Sequence, residues 1–228
     1  MTNQTEIKSL RSAAVVAGIS MLVMVIAAPF AEMYVFPRLI IPGNAEETFN
    51  NILSNPSLYR SAVFAYLITF IADLLATWAL YVLMKPVSMS LTLLTAWFRL
   101  TYTIIALVAL TNLASIVSQL NAPGSLSAAG VAASILAFKS GWHFGLLIFG
   151  IHLGLLGYLV YRSGFIPKYL GILLLISGSG YFINELRPFL FPNMQIDIAA
   201  YTFFGEVIFM IWLLARGYRI NVGNANVK

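Results

Sequence analysis

The sequence predicts an all-α protein, a polytopic transmembrane bundle of six helices with short surface helices in its outer loops. The first observation is composition: the 228 residues are 60% hydrophobic and only 9% charged, whereas soluble domains carry about 25% charged residues. The second is the recurrence of apolar runs of roughly 20 residues, the length that crosses a bilayer. A chain this apolar cannot shield its surface from water, so the lipid bilayer is its expected solvent and partner.

We predict a single transmembrane domain over residues 1–228. Its six spans are expected at 12–36, 58–84, 89–119, 141–161, 168–186 and 196–215. The first span follows Lys8 and Arg11, as the core of a signal peptide would. Its apolar run is longer than the roughly 7–15 residues of such a core, so a retained membrane anchor is favoured.

A short helix is predicted in the outer loop after span one. Asn44 can cap this helix, and Glu47, three residues later, completes a capping-box pattern. Phe49, Ile52 and Leu53 then fall on one helical face. An apolar face on an otherwise polar short helix favours a position on the membrane surface.

Spans two and three form a hairpin, because only residues 85–88 join them. Each carries one charge near its middle, Asp73 in span two and Arg99 in span three. Counted from the turn at about 1.5 Å per residue, Asp73 lies about 18 Å deep and Arg99 about 16 Å deep. Polar residues share the faces of these two charges at helical spacing, namely Tyr66, Thr69, Thr77, Thr92, Thr95 and Thr103.

The later spans are delimited by glycine, proline and basic residues. Residues 121–124 break span three, and the Ala-rich segment 125–139 is predicted to be a helical approach to span four. A tight turn at 162–168 joins spans four and five, and Arg187 with Pro188 is expected to end span five. Residues 189–195 would then form a loop before span six.

The distribution of basic residues predicts that both termini are cytoplasmic. With six spans, one side of the membrane receives both termini and the turns near residues 85 and 165. That side holds one acid, Glu6, and eight basic residues: Lys8, Arg11, Lys85, Arg162, Lys168, Arg216, Arg219 and Lys228. Cytoplasmic loops carry such an excess of Lys and Arg. The predicted location is therefore the cytoplasmic membrane of a prokaryote.

Four ionisable residues are predicted at one level near the middle of the membrane. His152 lies ten residues before Arg162, and Glu206 lies ten before Arg216, so each is about 15 Å deep. A charge at the centre of a span costs about 2.5–3.5 kcal/mol and usually faces protein or a water cavity. Asp73, Arg99, His152 and Glu206 are thus the candidate polar core or ligand-binding site.

A second, outer layer of ionisable residues is possible. Its members lie toward the opposite ends of spans one, two, four and five, and they are Glu32, Arg60, His143 and Glu185. Interfacial anchoring would explain them equally well.

Two interpretations remain open for Asp73 and Arg99: a structural ion pair and a functional site. We predict no metal site and no cofactor, because His143 and His152 are nine residues apart on opposite faces of one helix. A carboxylate–histidine site of Asp73, His152 and Glu206 is a minor alternative. The sequence has no cysteine and no recognisable hydrolase motif, and its basic tail is topological rather than a nucleic-acid patch.

Glycines lie on two faces of span four. Gly141 and Gly145 share the face of His152, and Gly150, Gly154 and Gly157 share the opposite face. Small residues let helices approach closely. These faces are predicted to pack against neighbouring helices or, alternatively, to form a homodimer.

The chain resembles the prokaryotic integral membrane proteins grouped as domain of unknown function 4386. The resemblance covers nearly the whole sequence. It rests on Phe30-Ala31-Glu32, Leu58-Tyr59-Arg60, Asp73, Lys85-Pro86-Val87, Phe98-Arg99-Leu100, Phe149-Gly150-Ile151-His152, Gly157-Tyr158-Leu159, Arg162-Ser163-Gly164, Pro167, Leu170-Gly171, Gly180-Tyr181 and Gly205-Glu206. It implies a six-span membrane protein and carries no assigned activity.

The function favoured by these patterns is binding or transport of a small ligand or ion at the polar core. The ligand itself is unknown. An intramembrane enzyme that uses a carboxylate and a histidine is one alternative. A structural accessory subunit, in which the charges only fix helix packing, is the other.

Overall fold

The computed structural model describes residues 4–120, 126–190 and 196–220. Within these ranges the chain is helical, with turns and no strand. Six helices are long and apolar enough to cross a membrane: Ile7–Leu39, Pro56–Met84, Met89–Gln119, Ala128–Arg162, Lys168–Leu190 and Ala199–Arg219. The predicted fold class is confirmed, and the protein is a multi-pass membrane protein. The cytoplasmic location of its termini stays a prediction, and Lys228 lies outside the described residues.

The six spans form a closed ring. Spans two to five are the uninterrupted helices α4 (Pro56–Met84), α5 (Met89–Gln119), α6 (Ala128–Arg162) and α7 (Lys168–Leu190). Each span packs beside the next one along the chain, and span six packs on span one. Arg11 fixes this closure at one end, where its Nε donates to the Ile220 carbonyl oxygen at 2.8 Å. The side chains at the candidate site therefore point into the interior of a ring.

Spans one and six are irregular. Span one consists of α1 (Gln4–Pro29), a π-helix (Phe30–Val35) and α2 (Phe36–Leu39). Span six is divided at Phe203 into α8 (Ala199–Thr202) and α9 (Phe204–Arg216), and a 3₁₀ turn (Gly217–Arg219) follows. Proline has no backbone N–H, so Pro29 removes one helical hydrogen bond just before the π-helix.

Several helix boundaries differ from the predicted spans, and two of these differences concern segments that were expected to lie outside a span. The segment predicted as an approach to span four is continuous with that span in the 35-residue helix α6. Helix α7 continues past the predicted end at residue 186 and through Pro188 to Leu190, because proline keeps a helical φ and removes a single hydrogen bond. The predicted break at 121–124 lies outside the described residues, as does most of the predicted loop 189–195.

The glycines of span four pack against neighbouring spans of the same chain. A Cβ on Gly157 would come within 2.7 Å of the Gly171 carbonyl oxygen, and one on Gly150 within 2.9 Å of that of Gly178. The other face meets span three, where a Cβ on Gly141 would lie 2.8 Å from the Ala109 Cβ. A homodimer stays a prediction, and it would need surfaces other than these two contacts.

The outer-loop helix α3 (Ala45–Ser54) is capped as predicted. The Glu47 backbone N–H donates to Asn44 Oδ1 at 3.1 Å, and Asn44 Nδ2 donates to Glu47 Oε2 at 2.9 Å. Ile52 and Thr48 are buried, whereas Leu53 of the predicted apolar face is exposed. The helix packs on span four, so its buried face docks on the bundle.

Candidate functional site

Three of the four predicted core residues contact one another inside the ring. Arg99 Nη2 donates to Asp73 Oδ1 at 2.5 Å, and Arg99 Nη1 lies 3.1 Å from His152 Nε2. Arg99, His152 and Asp73 are 0%, 1% and 2% exposed. We call these residues the ion-pair cluster. They join spans two, three and four at one level, as the depth count from the turns predicts.

The hydrogen bonds of His152 determine its tautomer. Arginine can only donate, so His152 Nε2 accepts from Arg99. His152 Nδ1 lies 2.9 Å from the Thr95 carbonyl oxygen, which can only accept, so Nδ1 carries the proton. His152 is thus a neutral imidazole whose two ring nitrogens are held by Arg99 and Thr95 of span three. With His152 neutral, Asp73 and Arg99 make the cluster electrically neutral as a whole.

Threonines of the predicted polar stripes complete the cluster. The Thr103 hydroxyl donates to Asp73 Oδ2, so both carboxylate oxygens have a partner. The Thr77 hydroxyl donates to the backbone carbonyl oxygen of Asp73 at 2.8 Å. Thr69, Thr92 and the other stripe residues are also buried. These threonines help to orient the ion pair.

Little space remains around the ion-pair cluster. Arg99 Nε has no hydrogen-bond partner among the described residues, but the guanidinium Cζ lies 5.3 Å from the centroid of the Phe149 ring. The face of an aromatic ring attracts a cation at this distance. A crevice between His152 and Met84 has a volume of about 10 Å³, which suffices for about one water molecule. A ligand-binding role for this cluster stays a prediction.

Glu206, the fourth predicted residue, stands apart from the ion-pair cluster. His152 uses its two ring nitrogens on Arg99 and Thr95, so neither nitrogen is left to pair with Glu206. Glu206 is half-buried, and the Tyr181 side chain of span five lies close enough to interact with it. It lies within electrostatic range of both Arg99 and Asp73. We call Glu206 and Tyr181 the Glu206 site.

Aromatic rings connect the two groups of residues. The Phe149 ring stacks on His152 at a centroid distance of 5.6 Å and meets Tyr181 edge-on at 5.7 Å. Tyr102 packs on Phe149 at 4.8 Å and lies within electrostatic range of Asp73, Arg99 and Glu206. The Glu206 site thus shares an aromatic wall with the ion-pair cluster.

The break in span six lies one turn before Glu206. At this break the Thr202 carbonyl oxygen accepts a hydrogen bond from Ser177 Oγ at 2.5 Å. Backbone groups freed from a helix inside a membrane must find such a partner. A Cβ on Gly205 would lie 2.4 Å from the Leu173 carbonyl oxygen, so only glycine allows this contact with span five. Glu206 therefore lies one turn after a local change in the hydrogen bonding of span six, at which Phe203 keeps helical torsion angles.

The predicted outer layer is partly assembled. His143 Nδ1 lies 2.9 Å from Glu185 Oε2, and His143 is within electrostatic range of Glu32. Glu32 lies in the π-helix and accepts a hydrogen bond from the Tyr66 hydroxyl. Arg60 lines an apolar groove between spans two and three. A ligand-binding role for this layer stays a prediction.

Several residues of the site were not predicted from the sequence. Phe149, Tyr181 and Tyr102 carry no charge, and the depth count considered only ionisable groups. The signal that could have found Tyr181 is its position beside Gly180, which contacts Thr202 at the break in span six. Within the described ranges no three His, Asp or Glu residues form a group that could hold a metal ion.

Comparison with known proteins places this architecture among uncharacterised relatives. The sequence profile of a family described as "Domain of unknown function (DUF4386)" matches residues 16–217. An uncharacterized protein of Archaeoglobus fulgidus is 37% identical over 166 residues, which cover 73% of this chain and 88% of the relative. No solved structure matches the chain.

Proposed function

The chain belongs to the family of domain of unknown function DUF4386, and on that premise we propose that it binds and transports a proton or small cation. Glu206 is the residue at which the ion binds. The protein resides in the cytoplasmic membrane of a prokaryote with both termini in the cytoplasm, as its basic residues favour.

The observation that carries this proposal is the environment of the Glu206 carboxyl, which has no basic partner among the described ion pairs. This carboxyl lies in the interior of the ring, and no Lys, Arg or His of the described residues forms an ion pair with it. The nearby Arg99 is paired with Asp73. A carboxylate without a counterion inside a membrane is costly, so Glu206 is stabilised by a proton or a bound cation. An ion-binding site requires a carboxyl at which a proton or cation can bind and be released. The half-buried Glu206 carboxyl meets this requirement.

The break in span six supports the same proposal. Transporters bind ions where membrane helices are discontinuous, because the freed backbone and side chains can face a ligand. Phe203 divides span six one turn before Glu206. The ion-pair cluster has a different role in this proposal, which is to hold spans two, three and four together beside the site.

Flux through proteoliposomes tests the proposal. The purified protein is reconstituted with a pH-sensitive dye inside, and a membrane potential is imposed with potassium and valinomycin. We expect proton flux, or proton flux coupled to an added sodium or potassium gradient, that is lost in Glu206→Gln. Asp197→Asn is the matched control, since it removes one exposed carboxylate near the start of the same span while asparagine can still cap the helix.

Two results would contradict the proposal. One is wild-type protein that gives no more flux than empty liposomes with any of these ions. The other is equal flux in Glu206→Gln and the wild type.

A further inference from the structure

A basic crevice opens at the end of the bundle that carries the turn between spans four and five. It has a volume of about 590 Å³ and lies between that turn and the end of span six. Its lining includes Lys168, Arg216, Arg219 and Trp212. This volume is within the usual range of ligand pockets, about 300–1,000 Å³. The crevice lies near the end of the bundle, whereas Glu206 lies in the membrane interior.

The charges around the crevice are all positive. Lys168, Arg216 and Arg219 are exposed, and no Asp or Glu lines the crevice. Among the described residues none of the three forms an ion pair with an acid. Their positive charge is therefore uncompensated within the described part of the protein, and an anion is the ligand that would compensate it.

The wall formed by the turn has a fixed shape. Gly164 adopts a left-handed conformation with φ of 72°, and Ser163 Oγ accepts from the Ile166 backbone N–H at 3.2 Å. The turn leads directly into the first residues of the 23-residue helix α7. The positive end of that helix adds to the attraction for an anion.

Exposed tyrosines near the crevice favour a position at the depth of lipid headgroups. Tyrosine and tryptophan concentrate where the bilayer meets water. Two exposed tyrosines, Tyr169 and Tyr218, lie on elements that line the crevice, and two more, Tyr158 and Tyr161, lie at the end of span four just before the turn. Trp212 itself forms part of the wall. A ligand in the crevice would thus share its depth with lipid phosphates.

We propose that this basic crevice binds the phosphate of an anionic lipid headgroup. Arg216 and Arg219 present planar guanidinium groups that can each donate two hydrogen bonds to phosphate oxygens, and Lys168 adds a point charge. Basic pockets between membrane helices bind anionic headgroups by these interactions. The site is independent of Glu206, so it holds whether or not the protein transports ions.

Native mass spectrometry of the full chain released from nanodiscs tests the site. The nanodiscs contain phosphatidylcholine with a minor fraction of phosphatidylglycerol, and the retained phosphatidylglycerol is counted. The test variant is Lys168→Gln with Arg216→Gln and Arg219→Gln. The control is Lys8→Gln with Lys85→Gln and Arg162→Gln, which removes the same charge from exposed residues outside the crevice.

We expect the crevice variant to lose at least about tenfold in retained phosphatidylglycerol and the control to lose less than about threefold. Equal losses would overturn the proposal, because they would show attraction to the whole basic surface. No loss in either variant would also overturn it. If the triple variant is not monodisperse, Lys168→Gln with Arg219→Gln is measured against Lys85→Gln with Arg162→Gln.

Inorganic phosphate distinguishes a lipid from a soluble ligand. It is titrated into protein in pure phosphatidylcholine nanodiscs and then into the phosphatidylglycerol nanodiscs. Retention of phosphatidylglycerol in the presence of excess phosphate supports the lipid site. Displacement of phosphatidylglycerol by phosphate, with saturable phosphate binding that the crevice variant loses, would overturn it in favour of a soluble phosphate ligand.

Discussion

Two regions of the ring accommodate charged side chains in different ways. Spans two, three and four are uninterrupted helices, and Asp73, Arg99 and His152 satisfy one another directly. Spans one and six are interrupted, by a π-helix and by the break at Phe203. Each interruption lies beside a carboxylate, Glu32 in the π-helix and Glu206 after the break. Within the described spans, paired charges thus occur on regular helices, and carboxylates without a basic partner in the described ion pairs occur at irregular ones.

Under the proposed function, this difference separates structural charge from functional charge. A paired, fully buried cluster would then stabilise one arrangement of helices. Interrupted helices and π-helical segments frequently mark functional sites, because their backbone is free of the regular hydrogen-bond pattern. Variants that give spans one and six a larger stability effect than spans two, three and four would contradict this distinction.

The largest effect is expected for Asp73→Asn. This change leaves Arg99 as a buried charge without its counterion, which costs about 3–5 kcal/mol. The free energy of unfolding is measured by reversible denaturation in mixed micelles. The double variant with Arg99→Gln should recover part of the loss, since it removes the unpaired charge. A loss below about 1 kcal/mol for Asp73→Asn would contradict a structural role for the pair.

The glycine contact between spans four and five is expected to give the next largest effect. A Cβ on Gly171 would lie 2.6 Å from the Gly157 carbonyl oxygen and 2.6 Å from the Tyr161 backbone nitrogen. Gly171→Ala should therefore destabilise the protein by about 1–3 kcal/mol in the same unfolding measurement. Gly154→Ala is the control, because its Cβ would meet nothing within 4 Å. Equal losses for both variants would show that this close contact does not contribute.

A smaller effect is expected at the break in span six. Ser177→Ala removes the hydroxyl that donates to the Thr202 carbonyl oxygen. Hydrogen bonds between membrane helices average about 0.6 kcal/mol and reach about 1.7 kcal/mol, so the free energy of unfolding should fall within this range. Ser179→Ala, at an exposed position two residues away, should leave it unchanged. A loss in the free energy of unfolding as large as that of Asp73→Asn would contradict the distinction between spans one and six and spans two, three and four.

The smallest effect on stability is expected for Glu206→Gln. The amide keeps the shape of the side chain and removes a carboxyl that has no basic partner, so the free energy of unfolding should change by less than about 1 kcal/mol. A loss comparable to that of Asp73→Asn would place Glu206 among the structural charges and remove the contrast between the two regions.

The vertical position of the charges could be predicted from the sequence. The short turn at 85–88 fixes the register of Asp73 against Arg99, and the turn after Arg162 does the same for His152. Helical periodicity also predicted the threonine stripes that complete the ion-pair cluster. These predictions succeed because helix rise and turn length determine depth.

The lateral arrangement could not be predicted in this way. The depth count predicted that Glu206 lies with Asp73, Arg99 and His152. Span six, however, packs against spans one and five rather than beside span three. The break at Phe203 depends on contacts made by Ser177 and Gly180 of another helix. Local propensity in a uniformly apolar segment contains no signal for such a break.

Infrared difference spectroscopy tests directly whether Glu206 exchanges a proton or cation. The spectra are recorded on the reconstituted protein while proton and cation concentrations are changed. We expect a carboxyl C=O band that responds to proton or cation concentration. This band should be absent in Glu206→Gln and present in Asp197→Asn. A response that persists unchanged in Glu206→Gln, or the absence of any carboxyl response in the wild type, would contradict the assignment of Glu206 as the exchangeable carboxyl.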